Sequence, residues 1–177
     1  LRNAGPGRGD PVEPVPDRRR LMPSAVPATK AAILTVLAAK AGLAGVRLEW
    51  GAPTKDEDYV AASGQNLELV FFGDSDESSD SAELGTGRRV EEYSLAMTVF
   101  VEMWGDDPQA TEERVRAVWD EVEDALRDDL RAAPSTLRSA GALQFNRITR
   151  RVSTGPSTSE KWGARLDATV EFQARNV

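Results

Sequence analysis

Two segments of the chain alternate between apolar and polar residues, which is the pattern of strands that bury one face. They span residues 88–104 and residues 161–174. The positions predicted to face inward are Tyr93, Leu95, Met97, Val99, Val101 and Met103 in the first segment, and Trp162, Ala164, Leu166, Ala168, Val170, Phe172 and Ala174 in the second. Both segments are therefore predicted to be strands with one face against a core.

Three shorter segments also fit strands, at residues 46–50, 66–72 and 143–152. The last of these is less regular because three arginines between positions 147 and 151 interrupt its apolar pattern. The tripeptide Gly155-Pro156-Ser157 is a turn signal. The two strands on either side of this turn are therefore expected to form an antiparallel hairpin.

Apolar residues at three- and four-residue spacing predict two helices. The first spans residues 29–43 and follows Pro27. The second starts at Asp107 and Pro108, because an aspartate caps free backbone N–H groups and proline fits the first turn. It is expected to run to about Arg131, with a buried stripe of Val115, Val118, Trp119, Val122, Leu126 and Leu130.

The predicted element order is helix, strand, strand, strand, helix, strand, strand. This order lacks the alternation of strand and helix that a parallel sheet requires. The sequence therefore predicts an α+β fold with one mixed or mostly antiparallel sheet and two helices packed on one face. Residues 22–177 are expected to form this single domain. Residues 1–21 are rich in proline, glycine and arginine and are interpreted as a flexible arm that precedes a natural start at Met22.

Residues 73–87 are acidic and rich in serine, and they are predicted to form a solvated, mobile loop. Their carboxylates invite comparison with a calcium-binding loop, but the pattern fails in detail. Ser79 stands where that motif needs glycine, and Gly85 stands where it needs the final glutamate. We therefore expect no metal at this loop.

The composition removes several kinds of chemistry. The chain has no histidine and no cysteine, so disulfides, thiolate nucleophiles, most zinc sites and the usual general base are all excluded. No catalytic, cofactor-binding or metal-binding residue is assigned, and no segment is apolar enough to span a membrane. The net charge of −7 opposes binding to DNA phosphates.

Two groups of residues are candidates for interaction surfaces. Trp50 and Trp104 stand at predicted strand ends, and tryptophan is enriched at interfaces. The charged residues at the start of the long strand could form ion pairs between subunits, although a solvated surface is the simpler reading. The candidate subunit or tube interface is Trp50, Arg88, Arg89, Glu91, Glu92 and Trp104. A candidate channel-facing acidic surface on the second helix is Glu121, Asp124 and Asp128.

Four stretches together resemble the tail terminator proteins of siphophages and actinobacterial prophages. They are MPSAVPATKAAILTVLAA, VRLEWGAP, RRVEEYSLAMTVFVEMWGDDPQATEERVRAVWDEVEDAL and WGARLDATVEFQAR. The resemblance implies a homo-oligomeric ring, usually of six subunits, that ends polymerisation of the tail tube protein and docks the head–tail connector. It also implies a location in the virion after assembly in the host cytoplasm, with DNA passing through the ring without sequence-specific binding.

Two other functions remain open at this point. A neck protein on the portal side would also form a ring, and a monomeric ligand-binding α+β domain would not. For a ring, we expect the subunit contacts to come from exposed edges of the strands at residues 88–104 and 161–174. The acidic loop at residues 73–87 is expected to take part.

Overall fold

The computed structural model describes residues 25–54, 66–84, 88–105, 107–158 and 160–175, so the predicted arm and Met22 lie outside the described residues. The helices are α1 (Val26–Ala39), α2 (Pro108–Arg131) and the short α3 (Thr136–Ser139), with a 3-10 turn at Ala41–Leu43 after α1. The strands are β1 (Arg47–Glu49), β2 (Leu67–Leu84), β3 (Arg88–Trp104), β4 (Ala142–Thr158) and β5 (Lys161–Arg175).

The five strands form one mixed sheet in the order β1-β2-β3-β5-β4. The short β1 runs parallel to β2, and all other neighbouring strands are antiparallel. The two long helices pack on one face of this sheet. The predicted α+β class is confirmed, and the predicted hairpin of the last two strands is confirmed as β4 and β5. The element that the sequence did not predict is α3.

Helix α2 begins and ends where its sequence predicts. The Asp107 carboxylate accepts a hydrogen bond from the Ala110 N–H at 2.9 Å, and Pro108 occupies the first turn. The helix ends at Arg131. Five of the six residues of the predicted apolar stripe are buried, Trp119 completely, and the sixth, Leu130, is partly buried. Burying a large apolar side chain stabilises the folded state by about 1.5–3 kcal/mol. The helix therefore turns its apolar stripe towards the core, and the spacing of apolar residues located it correctly.

The predicted loop is wrong for residues 73–84, and residues 85–87 lie outside the described residues. Strand β2 continues through the acidic residues to Leu84 and pairs with the first half of β3, with register shifts after Phe72 and Ser78. Backbone pairing with β3 defines this part of the strand. The alternation of apolar and polar residues does not depend on backbone pairing, so the sequence pattern did not predict this extension of β2.

The turn predicted at Gly155-Pro156-Ser157 is also wrong. Strand β4 continues through all three residues to Thr158, with a register shift next to Pro156. A proline is tolerated there because β4 is the outermost strand of the described sheet, so one side of its backbone has no strand partner among the described residues.

The strands expected to supply free edges are central instead. Strand β3 lies between β2 and β5, and β5 lies between β3 and β4, so neither presents an open edge. One margin of the described sheet is β4. At the other margin, β1 covers only Leu69–Phe71 of β2, so the rest of β2 forms that margin. The apolar faces of β3 and β5 were read correctly, but alternation carries no information about strand order.

Candidate interaction surfaces

A groove of about 530 Å³ runs between the C-terminal half of α2 and the margin strand β4. Its apolar floor consists of Leu126, Leu130, Phe145 and Ile148. Its charged lining consists of Arg127, Arg131, Arg138, Arg147 and Arg150, and Glu123 is the only carboxylate among the described lining residues. We call this surface the basic groove. It is strongly positive within a chain whose net charge is −7.

The single carboxylate of the basic groove is shared among several donors. Glu123 accepts hydrogen bonds from the Arg127 guanidinium and from the Trp119 indole N–H, the latter at 3.1 Å. The Arg150 guanidinium lies 3.6 Å from Glu123 and 3.7 Å from Asp120. Glu123 therefore neutralises part of the charge of Arg127 and Arg150, and not that of the other arginines of the groove.

The other three arginines of the groove have no such partner. Arg131, Arg138 and Arg147 are exposed, and none forms an ion pair with any residue in the described parts of the chain. A guanidinium stays charged at every physiological pH and presents a planar set of donors that matches a carboxylate or phosphate. The basic groove can therefore bind an anionic group, but arginine cannot serve as a general base there.

One end of the groove is held in place by a capped helix. Ser135 caps α3, and Asp129 accepts hydrogen bonds from the Ser135 hydroxyl at 2.8 Å and from the Leu137 N–H at 2.9 Å. Burial acts to raise the pKa of Asp129, but these hydrogen bonds and those from Thr136 outweigh it, so the pKa lies below its usual value. The charged Asp129 thus fixes α3, which carries Arg138.

The opposite margin of the sheet carries the opposite charge. Residues 74–84, which we call the acidic segment, form the part of β2 beyond β1. The acidic residues of this segment are Asp74, Asp76, Glu77, Asp80 and Glu83, and it contains no lysine or arginine. The margin strands therefore differ in charge as well as in position.

The two candidate tryptophans are exposed but lie apart. Trp50 is 49% exposed and meets Phe72 edge to face at 6.4 Å between ring centroids. Trp104 is 41% exposed, and the Lys161 ammonium lies 4.7 Å from its ring centroid. Trp50 follows Glu49, which pairs with Phe71, so it lies level with Phe72 and its partner Met97 on β3. Trp104 is roughly seven residues, or about 23 Å, further along β3. The two tryptophans do not form one surface.

The charged members of the candidate interface lie at the far end of β3. Arg88 and Arg89 pair in register with Leu84 and Glu83 of β2, at the opposite end of β3 from Trp104. Glu92 is exposed and accepts a hydrogen bond from Gln173 at 3.0 Å, and Glu91 pairs in register with Ala174. The structure therefore does not gather the predicted interface residues in one place.

The candidate acidic surface of α2 is tied partly to α1. The Lys40 ammonium lies 3.3 Å from Asp128 and 4.0 Å from Glu121. The Glu121 carboxylate also packs so closely over Gly42 that a side chain at that position would clash with it. Asp124 is exposed, and no described residue forms an ion pair with it. A role of this surface in facing DNA stays a prediction.

A buried ion pair joins β3 and β5 near Trp104. The Lys161 ammonium lies 2.9 Å from Glu102, and both residues are less than 8% exposed. The Ser157 hydroxyl donates a hydrogen bond to the second oxygen of Glu102. These polar residues lie on the face of the sheet away from α1 and α2, where Leu67, Leu69 and Phe71 are also buried. Glu102 falls between the inward positions Val101 and Met103, so alternation places it on this face, but alternation does not predict burial there.

The described residues form an α+β protein whose sheet has two margins without a strand partner among them. Across the described parts of the chain, no cluster of acidic side chains is arranged to hold a metal ion, and no helix is long and apolar enough to cross a membrane. The chain matches no protein-family model, and it matches no curated protein sequence.

Proposed function

We propose that this chain is a structural subunit of a phage tail that assembles into a ring, caps the tail tube, ends its polymerisation and joins the tail to the head connector. The proposal rests on the resemblance of residues 22–175 to tail terminator proteins. It assigns no catalytic residue and no cofactor, and it places the protein in the virion after assembly in the host cytoplasm. DNA would pass through the ring without sequence-specific contacts.

One structural observation carries this proposal. Both margins of the sheet have long stretches without a strand partner among the described residues, along β4 and along β2 beyond Phe71. A subunit with two different open margins can join one margin to the other margin of the next copy, and a contact of this kind closes into a ring when the rotation allows. The basic groove supports a binding role, because its charged groups are mainly arginines.

The mass of the purified chain in solution tests the proposal. Light scattering should give about six times the 19.2 kDa of one chain, and negative-stain images should show annular particles. Added to the tube protein of the same phage during polymerisation, the chain should shorten the tubes, with tube protein alone as the control. A chain that stays monomeric at every concentration contradicts the proposal. Rings that capture the portal-side neighbour instead of the tube would replace it with a neck protein.

A further inference from the structure

We propose that the basic groove binds the acidic segment of a neighbouring copy, so that β2 of one subunit extends the sheet of the next at β4. This inference rests on the proposed function, because it names the contact from which the ring is built. The occupant is a second copy of this chain, and the chemistry is that of an extended acidic strand. Three separate observations lead to it.

The first observation is the lining of the groove. Arg131, Arg138 and Arg147 are exposed around an apolar floor and form no ion pair with the described residues. Charges on a margin strand also prevent uncontrolled pairing, so arginines alone would not define a partner. Here they line a groove together with Leu130 and Phe145, which a bound segment would cover. An acidic occupant would supply the carboxylates that these arginines lack.

The second observation is the direction of the strands. Strand β2 is antiparallel to β3, β3 is antiparallel to β5, and β5 is antiparallel to β4. Strands β2 and β4 therefore run in opposite directions. A neighbour related by rotation about an axis along the strands would place its β2 antiparallel to β4. That is the geometry in which an added strand forms closely spaced pairs of backbone hydrogen bonds.

The third observation is the height of the two surfaces along the sheet. Arg147 pairs in register with Glu171, Glu171 with Ser94, and Ser94 with Asp76. Arg147 of the basic groove and Asp76 of the acidic segment thus stand on the same rung of the sheet. A closed ring requires rotation without translation along its axis, so contacting surfaces must lie at the same height. The arginines and the acidic residues satisfy that condition.

The same chain cannot make this contact with itself. The acidic segment pairs with the first half of β3, and β3 and β5 separate it from β4. The contact is therefore made between copies, and each subunit offers one basic and one acidic margin. Such a head-to-tail arrangement forms a ring when the rotation closes, and it does not form a two-fold dimer.

Two charge-reversed variants test the inference. The groove variant carries Arg131→Glu, Arg138→Glu and Arg147→Glu, and the segment variant carries Asp74→Lys, Asp76→Lys and Glu77→Lys. Each alone should raise the concentration needed for ring assembly by roughly tenfold or more, because like charges then meet across the contact. An equal mixture of the two should restore rings of alternating subunits, since every groove then meets a segment of opposite charge. A misfolded variant would not be rescued in this way.

A control is Arg151→Glu, which makes on the same strand the same change of charge as Arg147→Glu alone, at a residue that does not line the groove. It should leave assembly within about twofold of the wild type. Rings that persist in both reversed variants overturn the inference and leave the proposed function intact. Loss of rings without rescue in the mixture, or equal loss in the control, also overturns it. A wild-type chain that never assembles overturns the proposed function itself.

Discussion

Charged residues are buried at one end of the sheet and exposed along the margin at β4. We call the first region, where Glu102, Lys161 and Ser157 meet, the closed end. At the closed end, Glu102 and Lys161 are buried and bonded to each other, and Ser157 and Trp104 contact them. At the margin, Arg138 and Arg147 stay in water without a partner among the described residues. Glu102, Lys161 and Arg147 all lie in strands of the same sheet, so the difference between them arises from neighbours and not from secondary structure.

This contrast separates charges that hold the fold from charges that remain available for binding. A buried ion has lost its hydration, and removing its partner leaves that loss uncompensated. An exposed arginine keeps its hydration and contributes little to folding. The free energy of unfolding, measured with urea at concentrations where all variants are monomeric, should therefore distinguish the two regions.

The largest effect is expected at the closed end. Replacing Glu102 with alanine should lower the free energy of unfolding by about 3–5 kcal/mol, because Lys161 would stay buried without its partner. Glu92→Ala, an exposed glutamate on the same strand, is the control and should cost less than about 1 kcal/mol. The double variant Glu102→Leu with Lys161→Met should recover most of the loss. A cost below about 1 kcal/mol for Glu102→Ala would contradict this account.

An intermediate effect is expected where α3 meets the groove. Asp129→Asn should lower the free energy of unfolding by about 1 kcal/mol near neutral pH, because the carboxylate that caps α3 loses its charge. The pKa of Asp129 is lower in the folded chain than in the unfolded chain. Its contribution is therefore complete above the unfolded pKa of about 3.9 and is lost as the pH falls through the folded pKa.

The pH dependence gives the sharper measurement for Asp129. The difference in stability between wild type and Asp129→Asn should stay constant from about pH 7 to pH 5 and shrink below about pH 4. Asp124→Asn changes an exposed carboxyl on the same helix and should show no comparable difference at neutral pH. A gap between wild type and Asp129→Asn that is equally large at pH 3 and pH 7 would mean that the charge of Asp129 is not the cause.

The smallest effect is expected at the margin. Arg138→Ala and Arg147→Ala should each change the free energy of unfolding by no more than about 0.5 kcal/mol, because no ion pair with a described residue is lost. Arg114→Ala is the comparison, since the Arg114 guanidinium binds both oxygens of Glu68 at 2.6 and 2.7 Å. It should cost more, about 1–2 kcal/mol. Groove variants as destabilised as Arg114→Ala would show that these arginines serve folding.

Much of the fold could be read from the chain because apolar period and capping are local signals. The pattern at Asp107 and Pro108 located the start of α2, and its apolar stripe identified the face against the sheet. Alternation in β3 and β5 identified their buried faces in the same way. Burial of apolar side chains follows directly from residue type, so these predictions needed no knowledge of neighbours.

The basic groove and the order of the strands were decided only by the tertiary structure. Arg131, Arg138 and Arg147 come from three different elements, and in the sequence the last of them was only an interruption of a strand pattern. The acidic segment lacks apolar alternation, yet it pairs with β3 through its backbone, which is the same for every residue type. Strand pairing, and therefore which edges stay open and which charges meet, depends on contacts between residues distant in sequence, which no local pattern records.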